Sequence, residues 1–394
     1  MKLLMATHYF ESHRGGIEIV AGRLARELVT LGVDVTWLAT DATPPPAVSA
    51  ACGRARPVAA WNITEHLLGL PLPIPGPGAI AAILGAVKAA DAVLLHDSLY
   101  PTNIVAMLAA RWHGKPVVIT QHIAAVPYSS PLLKLLMRAA NALVTRPMLS
   151  SAAQVVFISE TVAAYFKGAA FRAPPRLIFN GVDTALYRPP ASGFDRAAAR
   201  RAYGLAADAQ VVLFVGRFVE KKGLHLIERM ARRLPHVTFA LAGWGPIDPA
   251  TWGLANVRVL SGLAGPSLVP LYQSSDLLLL PSTGEGWPLV IQEALACGLP
   301  VICGDETAAA DPEARCLVEG VEISADHEAT AKALAGRLGD MLAQLPAGEA
   351  ARQARSGFAS QRYSWPAAAR SYLGILERLV APGKAATKSE PMAI

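Results

Sequence analysis

Short, largely apolar runs alternate along the chain with stretches whose apolar residues recur every three or four positions. The first run, KLLMAT (2–7), precedes Gly16 to Leu31, where Ile17, Val20, Leu24 and Leu28 share one helical face. VDVTWLAT (33–40), AVLLH (92–96), PVVITQH (116–122), QVVFIS (154–159) and RLIFN (176–180) repeat the run, with helical patterns between most of them. Apolar runs of this length suit strands buried on both faces, and their alternation with helices predicts a parallel sheet covered on both sides. The stretch PLPIPGPG (71–78) reads as a loop, because proline and glycine interrupt any strand or helix period.

After Asp183 comes a proline-marked connection, TALYRPPASGFD, and the alternation restarts. QVVLFVG (210–216), VTFALAG (237–243), VRVL (257–260), DLLLLP (276–281) and PVIC (300–303) read as strands, with helices from about Gly223 and about Pro288. Two doubly wound α/β domains are therefore expected, at residues 1–187 and 188–365. A last helix is expected at 366–381, with Tyr372, Leu373, Leu376 and Leu379 on its apolar face. The small, polar tail 382–394 reads as disordered.

Composition narrows the class. Of 394 residues, 53% are hydrophobic and 17% charged, which excludes a disordered chain. A mean hydropathy of +0.34 raises the question of a membrane span. The most apolar stretch, Ala79 to Leu95, is broken by Lys88 and Asp91, short of the ~20 residues a spanning helix needs. MKLLMATHYF turns polar too early for a signal peptide, so a cytoplasmic protein, peripheral at most to the inner face of the cell membrane, is expected. Cys52, Cys297, Cys303 and Cys316 show no C-x-x-C spacing; each reads as a small core residue, and no metal site is expected. The net charge of +6 lies in the first half: residues 1–190 hold 16 Lys+Arg against 10 Asp+Glu. Ser98 to Arg176 carries eight bases and one acid, Glu160. Such a surface suits an anionic partner, and the scarcity of aromatic residues among the bases argues against nucleic acid.

In open α/β sheets ligands bind beyond the carboxyl ends of the strands, so chemistry is sought there. Gly15 and Gly16 open the first helix, where a backbone without side chains can approach an anion. VGRFVEKKG (215–223) places Arg217 and Lys222 in one loop, a cation pair suited to a diphosphate. The glycines of AGWGP (242–246), Gly243 among them, leave room for a base or ribose. In EGWPLVIQEALACGLPVI (285–302), Glu285 and Glu293 are separated by seven residues. A carboxylate at Glu293 suits a ribose diol and one at Glu285 sugar hydroxyls, while the amides of Leu289 and Val290 open a helix toward phosphate.

With these residues in place the chain resembles the retaining glycosyltransferases of family 4, which have two facing Rossmann-like domains in the GT-B architecture. The resemblance rests on GGIE near the start, NGVD (180–183), GRFVEKKG and the E-x7-E segment after DLLLLPS, in that order. It implies a nucleotide-diphosphate sugar as co-substrate, a UDP-sugar ahead of GDP-mannose, with no cofactor and no metal required. Arg217 and Lys222 then match the diphosphate pair, Glu293 the ribose ligand, Glu285 the residue at the donor sugar and Gly16 the glycine loop. His122 matches a histidine near the reacting carbon, with His96 a weaker candidate. The implied reaction is retaining hexosyl transfer to a glycan or lipid-linked acceptor, in envelope polysaccharide or lipopolysaccharide synthesis. One departure stands out: where the family often has a Gly-Gly-x-x-Glu-like turn, this chain has GDETAAADPEA (304–314). The alternatives are a GT-B nucleotide-sugar epimerase or a non-catalytic sugar-nucleotide-binding partner; no G-x-G-x-x-G follows the first strand to support a nicotinamide dehydrogenase. Finally, PLLKLLMRAANALVTRPM (131–148), acid-free and carrying Lys134, Arg138 and Arg146, reads as a membrane-surface contact.

Overall fold

The computed structural model describes residues 1–13, 16–46, 53–61, 73–123, 131–344 and 348–381, with the backbone alone at 131–134. The chain divides into two compact units: unit 1 holds Met1–Val156, Gly168–Arg176 and the chain from Ala369, and unit 2 holds Phe157–Lys167 and Leu177–Ala368. The sequence places the junction at 187/188, whereas residues 177–187 group with unit 2, because Phe179, Val182 and Tyr187 lie in its hydrophobic core. In NGVD, a Cβ on Gly181 would stand 2.3 Å from the Trp365 ring, so only glycine lets the indole pack there.

In unit 1 the strands are β1 (Lys2–Ala6), β2 (Asp34–Thr40), β3 (Arg54–Val58), the short β4 (Ala60–Trp61) and β5 (Ile74–Pro75), β6 (Ala92–His96), β7 (Val117–Gln121), β8 (Gln154–Phe157) and β9 (Arg176–Leu177). The main sheet has the order β3-β2-β1-β6-β7-β8-β9, and β4 pairs antiparallel with β5. β1 pairs in parallel with both β2 and β6, so the winding reverses there, and the carboxyl ends of β1 and β6 flank a switch point. Three details differ from the sequence pattern. PLPIPGPG contains β5, and a helix starts at Pro77, since proline at the first helical position gives up an amide that would have no partner anyway. RLIFN keeps only two strand residues. The edge strand β3, RARPV, breaks the apolar pattern with two arginines and a proline, as edge strands do to discourage further pairing.

Unit 2 repeats the construction with β10 (Gln210–Arg217), β11 (Val237–Trp244), β12 (Val257–Leu260), β13 (Leu277–Leu280), β14 (Val301–Gly304) and β15 (Val318–Val321). The order β12-β11-β10-β13-β14-β15 is parallel throughout, with its switch point at β10. The helix Leu289–Ala296 follows β13. The last helix, Trp365–Val380, crosses from unit 2 into unit 1, where the Tyr372 hydroxyl lies 2.9 Å from Thr120 Oγ1. Cys297 and Cys303 are core residues as expected, but Cys316 is exposed just before β15; Cys52 and the tail 382–394 lie outside the described residues. Among the described residues no helix is long and apolar enough to cross a membrane. Both units are Rossmann-like parallel α/β layers, the fold class the alternation predicts.

Candidate functional site

In unit 2 the loops after β10 and β13 converge because glycine lets them touch. Gly223 ends the turn Glu220–Lys222 at φ +72°, and a Cβ there would stand 2.0 Å from the Pro281 carbonyl oxygen. The Thr283 amide donates to the Lys221 carbonyl at 3.0 Å. This contact carries Lys222 to Glu285, with Nζ 2.9 Å from Oε2, while Lys221 Nζ stands 3.3 Å from Oε1. The Lys222–Glu285 pair is mostly buried, with side chains 15% and 14% exposed. Arg217 ends β10 exposed, its guanidinium 4.8 Å from the ring centroid of Trp244, the residue paired with it on β11. A stacked indole orients the guanidinium without neutralising its charge, which leaves it available to an anion.

Glu293 lies on the helix after β13. Its Oε2 accepts from the Tyr272 hydroxyl at 2.7 Å, and Tyr187 donates to it as well. Burial pushes the carboxyl up to about 7, with the two phenols pulling the other way. Leu289 and Val290 open the same helix after the Pro288 N-cap, so their amides are among those a helix start leaves without intrahelical partners. Gly243 has a different role from the one its neighbours suggest: a Cβ would stand 1.9 Å from the Gly216 carbonyl oxygen. The space it leaves is filled by the chain's own backbone and is not held open for a base or ribose. Gly245 likewise faces Phe218 O at 2.3 Å. In the departing loop, buried Asp311 accepts from Arg362 at 2.6 and 2.7 Å and from Tyr363 at 2.5 Å. That acid anchors unit 2 internally.

In unit 1, Gly16 begins the helix Gly16–Thr30, and a Cβ there would meet nothing within 4 Å; Gly15 lies outside the described residues. Packing does not require glycine at 16. His122 follows β7, and its Nε2 lies 3.0 Å from Nδ1 of His96, at the end of β6. Burial pushes His122 down to about 3 and His96 well below the usual range, so both imidazoles are neutral and one donates to the other. Of the basic segment, Arg138 is exposed and Arg146 half-buried, and nothing is described of the Lys134 side chain. Leu135, Leu136 and Leu143 are exposed at 63%, 56% and 77%.

Unit 2 therefore gathers Lys222 and Glu285 into contact, with Arg217 at the end of β10, the strand whose following loop carries Lys222, and Glu293 on the helix after β13. Sequence reasoning missed Tyr187, Tyr272, Lys221 and Trp244. The tyrosines carry no local signal, since their meeting with Glu293 is a tertiary event. Trp244 did carry one: a large aromatic between glycines where an apolar strand ends.

The family profile for Glycosyltransferase Family 4 matches residues 14–186, and that for Glycosyl transferases group 1 matches residues 209–340. The chain is 35% identical to a D-inositol 3-phosphate glycosyltransferase of Mycolicibacterium paratuberculosis over 210 residues, 48% of this chain and 44% of that protein. That alignment spans less than half of the relative's length. The enzyme of the same name from Mycobacteroides abscessus is 29% identical over 408 residues, covering 94% of this chain and 86% of the relative. Among solved structures, Anabaena HepE in complex with UDP superposes with a TM-score of 0.72 at 20% identity, covering 96% of this chain and all of that one. At that identity the likeness speaks for the fold. The chain belongs to glycosyltransferase family 4, with two Rossmann-like units of the GT-B fold class.

Proposed function

We propose that the protein transfers a hexose from a nucleotide-diphosphate sugar, a UDP-sugar in the first instance, to a hydroxyl of a glycan or lipid-linked acceptor with retention of configuration. The observation that carries this reading is the convergence at the switch point of unit 2: the Lys222–Glu285 pair, with Arg217 ending the strand whose following loop carries Lys222. Arg217, Lys222 and the amides of Leu289 and Val290 offer positive charge to a leaving diphosphate, the task a metal performs in other enzymes, so no metal is assigned a role. The ionised Glu293 accepts from a ribose diol, with its tyrosines fixing the carboxylate plane. Glu285 orients Lys222 and takes the donor sugar's hydroxyls. On the family resemblance, unit 1 contributes Gly15, Gly16 and His122, whose neutral imidazole suits a hydrogen bond to a sugar hydroxyl.

HepE, which shares the fold, has been solved with UDP-glucose, and this favours a uridine donor. The relatives' name makes inositol 3-phosphate the other acceptor to try. A lipid-linked acceptor is favoured by the exposed Leu135, Leu136 and Leu143 beside Arg138, in a stretch without acids. The test incubates UDP-, GDP- and ADP-sugars with glycan, lipid-linked and inositol 3-phosphate acceptors and follows the anomeric proton by NMR. A product with the donor's anomeric configuration is expected. An inverted product overturns retention, an epimerised donor without acceptor supports the epimerase alternative, and binding with no turnover supports the non-catalytic one.

A further inference from the structure

We propose that Asp97 is a positioning residue for sugar transfer, its carboxylate fixing the backbone that carries His122; this rests on the reading of His122 as the group beside the donor sugar. Asp97 follows β6 and is the one non-glycine residue with positive φ among the described residues, at +64°. An L-residue adopts this conformation against steric resistance, so the surroundings must hold it there. They do: Asn103 Nδ2 donates to the carbonyl oxygens of His96 at 2.7 Å and Asp97 at 2.9 Å, and the Asp97 amide donates to Thr120 O at 2.8 Å.

The left-handed turn aims the Asp97 side chain at the end of β7, where the strand ladder stops and amides lose their partners. Oδ1 accepts from the amides of His122 at 3.2 Å and Ile123 at 3.3 Å, and from Gln121 Nε2 at 2.5 Å. Gln121 is itself tied down, accepting from Ser98 Oγ at 2.9 Å and donating to Ile123 O at 2.8 Å. The neighbouring His96 meets the His122 ring at 3.0 Å. One dipeptide, His96–Asp97, thus holds both the backbone and the imidazole of His122.

Two features separate this from ordinary packing. Asp97 Oδ2 is buried with no hydrogen-bond partner among the described residues, which a fold selected for stability alone would avoid. Glycine at 97 would relieve the backbone and remove the buried acid, yet aspartate is present. With its carboxyl enclosed, Asp97 reaches no substrate directly, so its effect runs through His122.

Asp97→Gly and Asp97→Asn, each beside His122→Ala, test the assignment with UDP-glucose as donor. Asp97→Asn keeps the accepting oxygen and tolerates the left-handed turn, so turnover within about threefold of wild type is expected. Asp97→Gly relieves the backbone but strands the donors that Oδ1 accepts from, so it is expected to lower the melting temperature modestly while remaining folded, and to leave KM for UDP-glucose nearly unchanged. Its kcat should fall by on the order of 10²-fold, the scale of a misplaced group. His122→Ala/Asp97→Gly should then turn over no more slowly than His122→Ala. In imidazole NMR spectra the His122 resonances should broaden or shift in Asp97→Gly. Wild-type kcat in Asp97→Gly, or additive losses in the double variant, overturns the proposal while His122→Ala stays impaired. Wild-type kcat in His122→Ala overturns the reading of His122 and the proposal with it. Should Asp97→Gly fail to fold, Gln121→Ala removes the amide that braces the same oxygen: a selective fall in kcat supports the assignment, and wild-type kcat overturns it.

Discussion

Glu293 is an acid held in apolar surroundings by two phenols, and its titration should be visible in donor binding. Its folded-state pKa, pushed up to about 7 by burial, lies above the usual carboxylate range, so the fold favours the protonated form. Ionising it as pH rises through that window costs stability, yet the ionised form is the better acceptor for two ribose hydroxyls. UDP affinity should therefore rise between pH 6 and 8 by up to about tenfold, following the ionised fraction of a group with pKa near 7. Calorimetric titration of UDP at both pH values checks this; Glu293→Gln should flatten the difference, and a slope that persists in the variant would assign it elsewhere. Nearby, Lys222→Ala removes a cation and leaves the mostly buried Glu285 with Lys221 as its one ion-pair partner among the described residues. Turnover should fall by on the order of 10²-fold, as should that of Arg217→Ala. Unchanged kcat in both would mean that the diphosphate is held by other groups. Arg217, Lys222, Glu285 and Glu293 stand out in the sequence because their loops follow apolar runs, whereas Lys221, beside Glu285 in the structure, does not. The partners Tyr187 and Tyr272 do not either, since neither stands near Glu293 in sequence.

Among the elements, legibility follows burial. The central strands β1, β6, β7, β10, β11 and β13 are apolar runs because both faces are covered, and each shows in the sequence. Edge strands β3 (RARPV) and β15 (VEGV) carry charge, which hides them from the apolar pattern. The helix from Pro77 was hidden by the proline that starts it. In sequence, Gly243 reads as space for a ligand because glycine after a strand has two meanings, and the 1.9 Å approach of Gly216 O separates them. Gly243→Ala is accordingly expected to destabilise unit 2 by at least about 1–3 kcal/mol, the cost of overpacking. The check is denaturant unfolding; a variant as stable as wild type with weakened UDP binding would restore the ligand role.

At the scale of the molecule, the positive excess lies in the first half of the sequence, and the residues proposed to hold the donor lie in the second. Leu135, Leu136 and Leu143 stand exposed beside Arg138 in the most basic part of the chain. Co-sedimentation with anionic vesicles at low salt should be measurable and should weaken when Arg138 and Arg146 are replaced by glutamine, each base contributing about 1 kcal/mol. Equal binding to neutral vesicles would point to the leucines alone, and no binding would favour a water-soluble acceptor.

The central claim is that unit 2 holds a nucleoside diphosphate sugar through Arg217, Lys222 and Glu293. Isothermal titration of UDP-glucose into wild type, Arg217→Ala and Glu293→Ala addresses it most directly. Saturable one-site binding is predicted for wild type, weakened about tenfold or more in each folded variant, the loss of one charge-assisted contact being worth roughly 1.5–3 kcal/mol. Wild-type affinity in both variants, or no saturable binding of UDP-, GDP- or ADP-sugars by wild type, would contradict it.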